Sequence, residues 1–309
     1  MRRHWGRIAI GIVAVAVLVF AAAAYWLFYD NRLPRDGRFP LDLAAIRAEA
    51  ARLPGPGPQR IEVEIVSHTP VPKIAMVAGT SWGKVDLARA SYRLVWPDRS
   101  AIIDTGYDEK TARDTGAAAF DRGAYARIIT AMDRAFAIVV THEHCDHMGG
   151  LVTSPHLARE LPHALLTPEQ VHAGPLLSPI AWPASAMRSY QPLVYQHYHA
   201  IAPGVVLIKA PGHTPGSQMV YVRRADGREF VVMGDAASMA DNVRLERIRS
   251  RYVTSYRGLH HDDRRAVMLE TMALHDAQAA DPALALVPGH DGAAIGDLIR
   301  AGLLVRGFR

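Results

Sequence analysis

The sequence predicts a layered α/β protein behind an N-terminal apolar helix. Half of its residues are hydrophobic, so it carries enough apolar surface for a sizeable core. Short β-branched runs recur between Gly, Pro and Asp turns, with helical stretches set among them. Several of these runs end on a His or Asp beside a glycine, and no internal repeat has a fixed short period.

Residues 8–29 form an uncharged apolar run preceded by Arg2, Arg3 and Arg7. About 20 such residues cross a bilayer as a helix, and the basic flank sets the N-terminus inside. The rest of the chain is then expected on the far side, periplasmic in a Gram-negative cell. A cleaved signal peptide is the competing reading, since Ala21 to Ala24 offer small residues for cleavage. Tyr25, Trp26, Phe28 and Tyr29 prolong the run beyond them as an interfacial belt, which favours a retained anchor over residues 1–30.

Residues 31–60 read as a linker holding one short helix at 41–53, closed by Pro54-Gly55-Pro56-Gly57-Pro58. A catalytic domain is expected from 61 to 309. Strands are predicted at 61–66, 74–77, 92–96, 101–103 and 136–140, with helices near 125–134 and 168–173. Further strands follow at 205–209, 219–222 and 230–233, then a helix over 262–279 and a last strand at 283–287.

The chain has 309 residues and a net charge of +5 spread without a long basic run, which gives little support for a nucleic-acid partner. One cysteine, Cys145, cannot form an internal disulfide. It sits in His142-Glu143-His144-Cys145-Asp146-His147, directly after an apolar strand. Three imidazoles and a carboxylate in one loop are donors that suit zinc or iron and suffice for two divalent cations. Cys145 reads as a small buried spacer, and Glu143 as an outward-facing side chain. Asp104, His213, Asp235 and His290 each follow another apolar strand, so four more donors point at one sheet edge.

On these motifs the chain resembles the metallo-β-lactamase fold superfamily of metal-dependent hydrolases. Asp104 matches its first motif, residues 142–147 its His-x-His-x-Asp-His motif, and His213, Asp235 and His290 the remaining three, over residues 61–309. The resemblance implies a four-layer αβ/βα sandwich. It implies a first metal held by His142, His144 and His213 and a second by Asp146, His147 and His290, with Asp235 bridging them. Two zinc ions are expected, iron or manganese being alternatives, with a bridging hydroxide attacking an ester, lactone or phosphoester of a small-molecule substrate. Asp146 and Asp235 would then take part in catalysis. Asp104 is expected either to hydrogen-bond the ligand loop or to be a plain turn residue.

Within this superfamily the substrate must come from the surroundings of the site. Asp235 at the bridging position argues against a zinc β-lactamase. The short tail after His290 argues against a glutathione thioesterase, and an export signal against a transfer-RNA nuclease. Quorum-quenching lactonases share the whole ligand set but usually place a Tyr where this chain has Ser238; Tyr107, Tyr252 or Tyr256 are the candidates to replace it. A mononuclear iron dioxygenase of the persulfide type and a non-catalytic adaptor are the rival functions. Trp82, Tyr107, His260 and His261 are the expected pocket residues. Trp82 is read either as part of a flap over the metals or as an exposed hairpin tip. His260 and His261 belong to a basic segment, 238–261, read either as favouring anionic substrates or as a solvated face. The oligomeric state is left open.

Overall fold

The computed structural model describes residues 2–256 and 262–309. In chain order the strands are β1 (Arg60–Pro72), β2 (Lys84–Val95), β3 (Ser100–Ile103), β4 (Ala119–Phe120), β5 (Ala137–Val139), β6 (Tyr198–Ala202), β7 (Val205–Lys209), β8 (Gln218–Arg223), β9 (Glu229–Val232), β10 (Ala285–Val287) and β11 (Val305–Arg306). They form two sheets, β11-β1-β2-β3-β5 with β4 added to β1, and β10-β9-β8-β7-β6.

Both faces of each sheet are buried, so the strands read as continuous apolar runs, and alternate residues serve different layers. Leu94, Ile103 and Val139 from the first sheet meet Leu207, Val220 and Phe230 from the second in a shared core. Ile102, Ile138 and Val140 turn the other way, onto Ile128 of the helix Arg122–Met132 and Met148 of the helix Cys145–Val152. Val206, Ile208, Tyr221 and Val231 pack on Ile46 of Leu43–Ala50 and Leu274 of Arg264–Ala280. The order is therefore helix, sheet, sheet, helix, a four-layer αβ/βα sandwich. β3 pairs with β5, and β9 with β10, in parallel. Their carboxyl ends, where the donors lie, consequently face one edge.

The chain departs from the sequence expectation in two places that shape that edge. Residues 74–77 were expected as a strand, but Lys73–Met76 is a short helix. A four-residue apolar run does not distinguish the two by period, and here Ile74, Ala75, Met76 and Val77 are all buried. β1 and β2 extend well beyond the expected 61–66 and 92–96, past a bulge at Val66. That extension carries Leu87 and Arg89 over the site. The 31–60 stretch also packs closely: Ile46 and Ala50 are buried in the outer core of the second sheet.

One buried carboxylate ties the helix Arg264–Ala280 to the edge. Glu270, 1% exposed, accepts a hydrogen bond from the Gly212 amide at 2.9 Å, while its other oxygen has no hydrogen-bond partner among the described residues. Burial, aided by Asp262 and Asp263, pushes its carboxyl up to about 8 against an ordinary 4.5. The folded chain then binds more protons than the unfolded chain between these values, so stability falls as pH rises from about 4.5 through about 8. Thermal melts from pH 5 to 8 are expected to show this decline. Glu270→Gln, which keeps the acceptor oxygen, is expected to flatten it and to melt above the natural chain at pH 8.

Candidate metal centre

β3 ends at Asp104, which adopts a left-handed φ of 60°, a conformation costly for a non-glycine residue. The bend aims its carboxylate at the loop after β5. Oδ1 accepts from the Thr141 amide at 2.6 Å, and Oδ2 accepts from Thr141 Oγ1 at 2.9 Å and from His147 Nδ1 at 2.8 Å. The helix Cys145–Val152 then packs so closely on this turn that a Cβ at Gly150 would lie 2.1 Å from the Thr105 carbonyl oxygen. Across the edge, a Cβ at Gly289 would lie 2.5 Å from Asp235 Oδ1. Glycine is what allows both approaches.

Three histidines are oriented from outside. His147 Nδ1 donates to Asp104, His213 Nδ1 donates to Asp262 Oδ1 at 2.7 Å, and His290 Nδ1 donates to the Ala88 carbonyl at 3.0 Å. Carboxylate and carbonyl oxygens only accept, so neutral His147 and His290 rings carry the proton on Nδ1 and turn a bare Nε2 inward, while Nδ1 of His213 meets both Asp262 and the Arg249 guanidinium. The inward atoms crowd together. His147 Nε2 and His290 Nε2 are 3.1 Å apart, and His144 Nδ1 lies 3.0 Å from His142 Nε2 and 3.1 Å from His213 Nε2. At the His147–His290 pair two Nε2 atoms face each other across 3.1 Å, an arrangement that a proton or a cation between them would satisfy.

Carboxylates complete the set. Asp235 Oδ1 is 3.0 Å from His290 Nε2 and 3.9 Å from His147 Nε2, whereas Oδ2 is 3.5 Å from His213 Nε2. The side chain thus stands between the two histidine groups. Asp146 Oδ2 is 3.7 Å from His290 Nε2. Three groups, His142/His144/His213, His142/Asp146/His147 and His147/Asp235/His290, have donor atoms within 4.8 Å of one another. Nitrogen with carboxylate oxygen is a donor chemistry that fits zinc, iron or manganese.

The electrostatics match this crowding. Burial pushes His142 well below the usual imidazole range, and its His147, His213 and His144 neighbours push it further. Burial would lower His147 too, but Asp104, Asp146 and Asp235 outweigh it and lift the ring to about 9. Without a cation, a proton at His147 relieves the conflict; a bound metal takes its place. Burial raises Asp146, yet His147, His290 and Arg89 together hold it below the usual carboxylate range. The Cys145 thiol is pushed up to about 12 by burial and then by Asp146, which makes it a packed side chain and a poor nucleophile.

Several residues that shape the centre escaped the sequence reading. Glu143 is not outward-facing: it is 1% exposed and accepts from Thr214 Oγ1 at 2.6 Å and from the Gly216 amide at 2.9 Å, locking the 142–147 loop to the loop bearing His213. Arg249 is no solvated cation. It is buried, donates to Asp235 Oδ2 at 3.1 Å and to the Asp235 carbonyl at 3.2 Å, and touches His213 Nδ1. Arg89 Nε lies 3.3 Å from Asp146 Oδ2.

A cavity of about 410 Å³ opens onto His144, Cys145 and Asp146. Its walls are mainly apolar, with Val71, Met76, Leu87, Leu176 and Val253, and Arg89 is the charged side chain beside Asp146. Tyr107 and Tyr252 both line it, and Tyr107 shares a 2.6 Å hydrogen bond with Ser67 Oγ. Trp82 stands outside the wall, 58% exposed, against Phe28. Ser238 is buried, and its carbonyl accepts from the His290 amide at 2.9 Å. His260 and His261 lie outside the described residues.

Residues 86–290 match the family model of the metallo-beta-lactamase superfamily. The chain belongs to that superfamily, whose hydrolases are metal-dependent enzymes. No curated protein matches it by sequence. Among solved structures it is similar to a quorum-quenching N-acyl homoserine lactone lactonase, at 16% identity and a TM-score of 0.59 over 76% of this chain and 93% of that one. An N-acyl homoserine lactone hydrolase with the product N-hexanoyl-L-homoserine at its catalytic metal centre is similar at 15% identity and 0.59, covering 78% and 96%. A probable metal-dependent hydrolase from Staphylococcus aureus follows at 15% and 0.53, covering 77% and 91%. At these identities the likeness concerns the fold.

The dependence of His147 on Asp104 is measurable. Asp104→Ala is expected to weaken divalent-metal binding by about 10- to 100-fold in competition with a chromophoric chelator. An unchanged affinity contradicts the orienting role.

Proposed function

We propose that this superfamily member is a two-metal hydrolase acting on an ester or lactone that carries an apolar group. The supporting observation is the cavity, whose apolar wall runs directly to His144 and Asp146. A phosphoester is the weaker substrate in this reading, because among the described residues Arg89 is the cation that lines the cavity beside Asp146. In this reading His142, His144 and His213 hold one cation, Asp146, His147 and His290 the other, and Asp235 faces both. Zinc is favoured by the imidazole-rich set, ahead of iron or manganese.

Two such cations, when bound, lower the pKa of water towards neutrality and polarise the scissile carbonyl. The chain supplies the rest. Asp146, ionised at neutral pH, accepts a hydrogen bond from the attacking water and orients it. Arg89 joins His147 and His290 in keeping that carboxylate ionised and offers its guanidinium to the substrate oxygen. Tyr107 and Tyr252 are the hydroxyl groups on the wall, filling the part that Ser238 does not, and either can donate to the leaving oxygen. The apolar wall excludes water that would compete for these groups.

The lactone reading draws support from the similar solved lactonases. The helix over residues 7–28, apolar and long enough to cross a bilayer, is proposed as a retained anchor with the N-terminus inside and residues 61–309 as an extracytoplasmic catalytic domain. The test is metal analysis of the full chain beside a panel of acyl esters, lactones, phosphodiesters and β-lactams. Two zinc ions per chain and turnover of esters or lactones are expected, with Asp235→Ala lowering kcat/KM by more than about a hundredfold. One iron with oxygen uptake moves the assignment to a dioxygenase, and a metal-loaded chain inert on the whole panel to a binding role.

A further inference from the structure

The last turn of the apolar helix and the cavity share a wall. The Phe28 ring lies 5.0 Å from Trp82 and 5.1 Å from Tyr252, and the Arg251 guanidinium sits 5.0 Å from the Trp26 ring. The connection is held by several bonds. The Gly79 amide donates to the Phe28 carbonyl at 2.8 Å, and the buried Asp30 carboxylate accepts from Arg251 at 2.9 Å and Arg32 at 2.8 Å. Asn31 donates to the Glu246 carbonyl and accepts from the Ile248 amide, both at 2.9 Å. Tyr252 and Val253 line the cavity, as do Ala75 and Met76, and the Ser250 amide joins these two walls by donating to the Ala75 carbonyl at 2.9 Å.

Helix end and cavity are therefore fixed relative to each other. A helix of this length and apolarity places its closing aromatics at the level of the lipid headgroups. Tyr25 and Trp26 on the helix, Tyr29 directly after it, and Trp82 and Tyr252 on the domain are exposed, and Phe28 at the helix end makes ring contacts with both Trp82 and Tyr252, which sets them beside it in one band. Trp and Tyr suit that layer, with an apolar ring and a polar edge. Tyr252 belongs both to this band and to the cavity wall.

We infer that the cavity opens at the bilayer surface and takes an amphiphile already partitioned into the membrane. The substrate class is an ester or lactone at headgroup level with a single acyl chain that enters past Tyr252 and Val253. In its hydrolysis the acyl carbon–oxygen bond breaks. Water supplies the hydroxyl to the acyl carbon and the proton to the leaving alkoxide, giving a carboxylic acid and an alcohol. The chemistry rests on the hydrolase reading above, whereas the placement rests on the clasp at Phe28 to Asn31. Each methylene raises the membrane-bound share of such a substrate by about fourfold, so a site at the surface gains from long chains what a site far from it does not.

Both parts are tested on the full chain in vesicles of phosphatidylethanolamine and phosphatidylglycerol. For placement, a nitroxide is attached through Trp82→Cys, Cys145 being buried, and its collisions with oxygen and with an aqueous nickel chelate are compared. Interfacial depth, matching a label at Trp26→Cys, is expected. Water exposure equal to that of a label at Asp226→Cys, in the β8–β9 turn at the opposite edge, overturns the placement. For substrate, p-nitrophenyl decanoate and butyrate are compared in the natural chain and in Trp82→Asp. A drop of at least about tenfold in kcat/KM for decanoate, with butyrate within about twofold, is the expected result. Equal effects on both esters overturn the membrane-fed substrate. If the metal-loaded natural chain cleaves neither ester, the hydrolase reading and the substrate class fall together, while the label depth still decides the placement.

Discussion

The centre depends on one carboxylate that is not among the expected ligands. Asp104 accepts three hydrogen bonds, two from Thr141 and one from His147, and so sets both the path of the loop after β5 and the tautomer of one of its histidines. Asp262 and the Ala88 carbonyl act on His213 and His290 in the same way. Each outward bond fixes an inward lone pair. Rings free to rotate would separate their nitrogens; His147 and His290 are instead held with their Nε2 atoms 3.1 Å apart, placed to share a cation in place of the proton that His147 otherwise carries.

The sandwich makes this arrangement possible. Parallel pairing of β3 with β5 and of β9 with β10 brings four chain segments to one edge with their carboxyl ends aligned. The two-faced burial that holds the sheets together also anchors the strand ends, so the donors rest on rigid elements. The glycines at 150 and 289 let neighbouring backbone and carboxylate approach closely enough to close the site.

This explains which parts were legible in the sequence. His142, His144, Asp146, His147, His213, Asp235 and His290 stand out because donor residues after apolar strands are a local pattern. Asp262 is no such pattern: it meets His213 across 49 residues of chain, through a fold the sequence does not display. Arg249 and Glu143 were misjudged for a related reason. Charged side chains normally face solvent, and only the three-dimensional arrangement supplies the Asp235, Thr214 and Gly216 partners that keep them buried. The short helix at Lys73–Met76 and the extension of β2 lay beyond local periodicity, and with them the positions of Met76, Leu87 and Arg89 on the cavity wall.

Outward hydrogen bonds thus aim two sets of donors at two proposed cation positions. Anomalous diffraction from crystals of the zinc-loaded full chain, recorded on both sides of the zinc edge, tests this arrangement most directly. Two peaks are expected, one enclosed by His142, His144 and His213 and the other by Asp146, His147 and His290, with Asp235 facing both. A single peak, or zinc bound elsewhere while these histidines keep their mutual contacts, contradicts it.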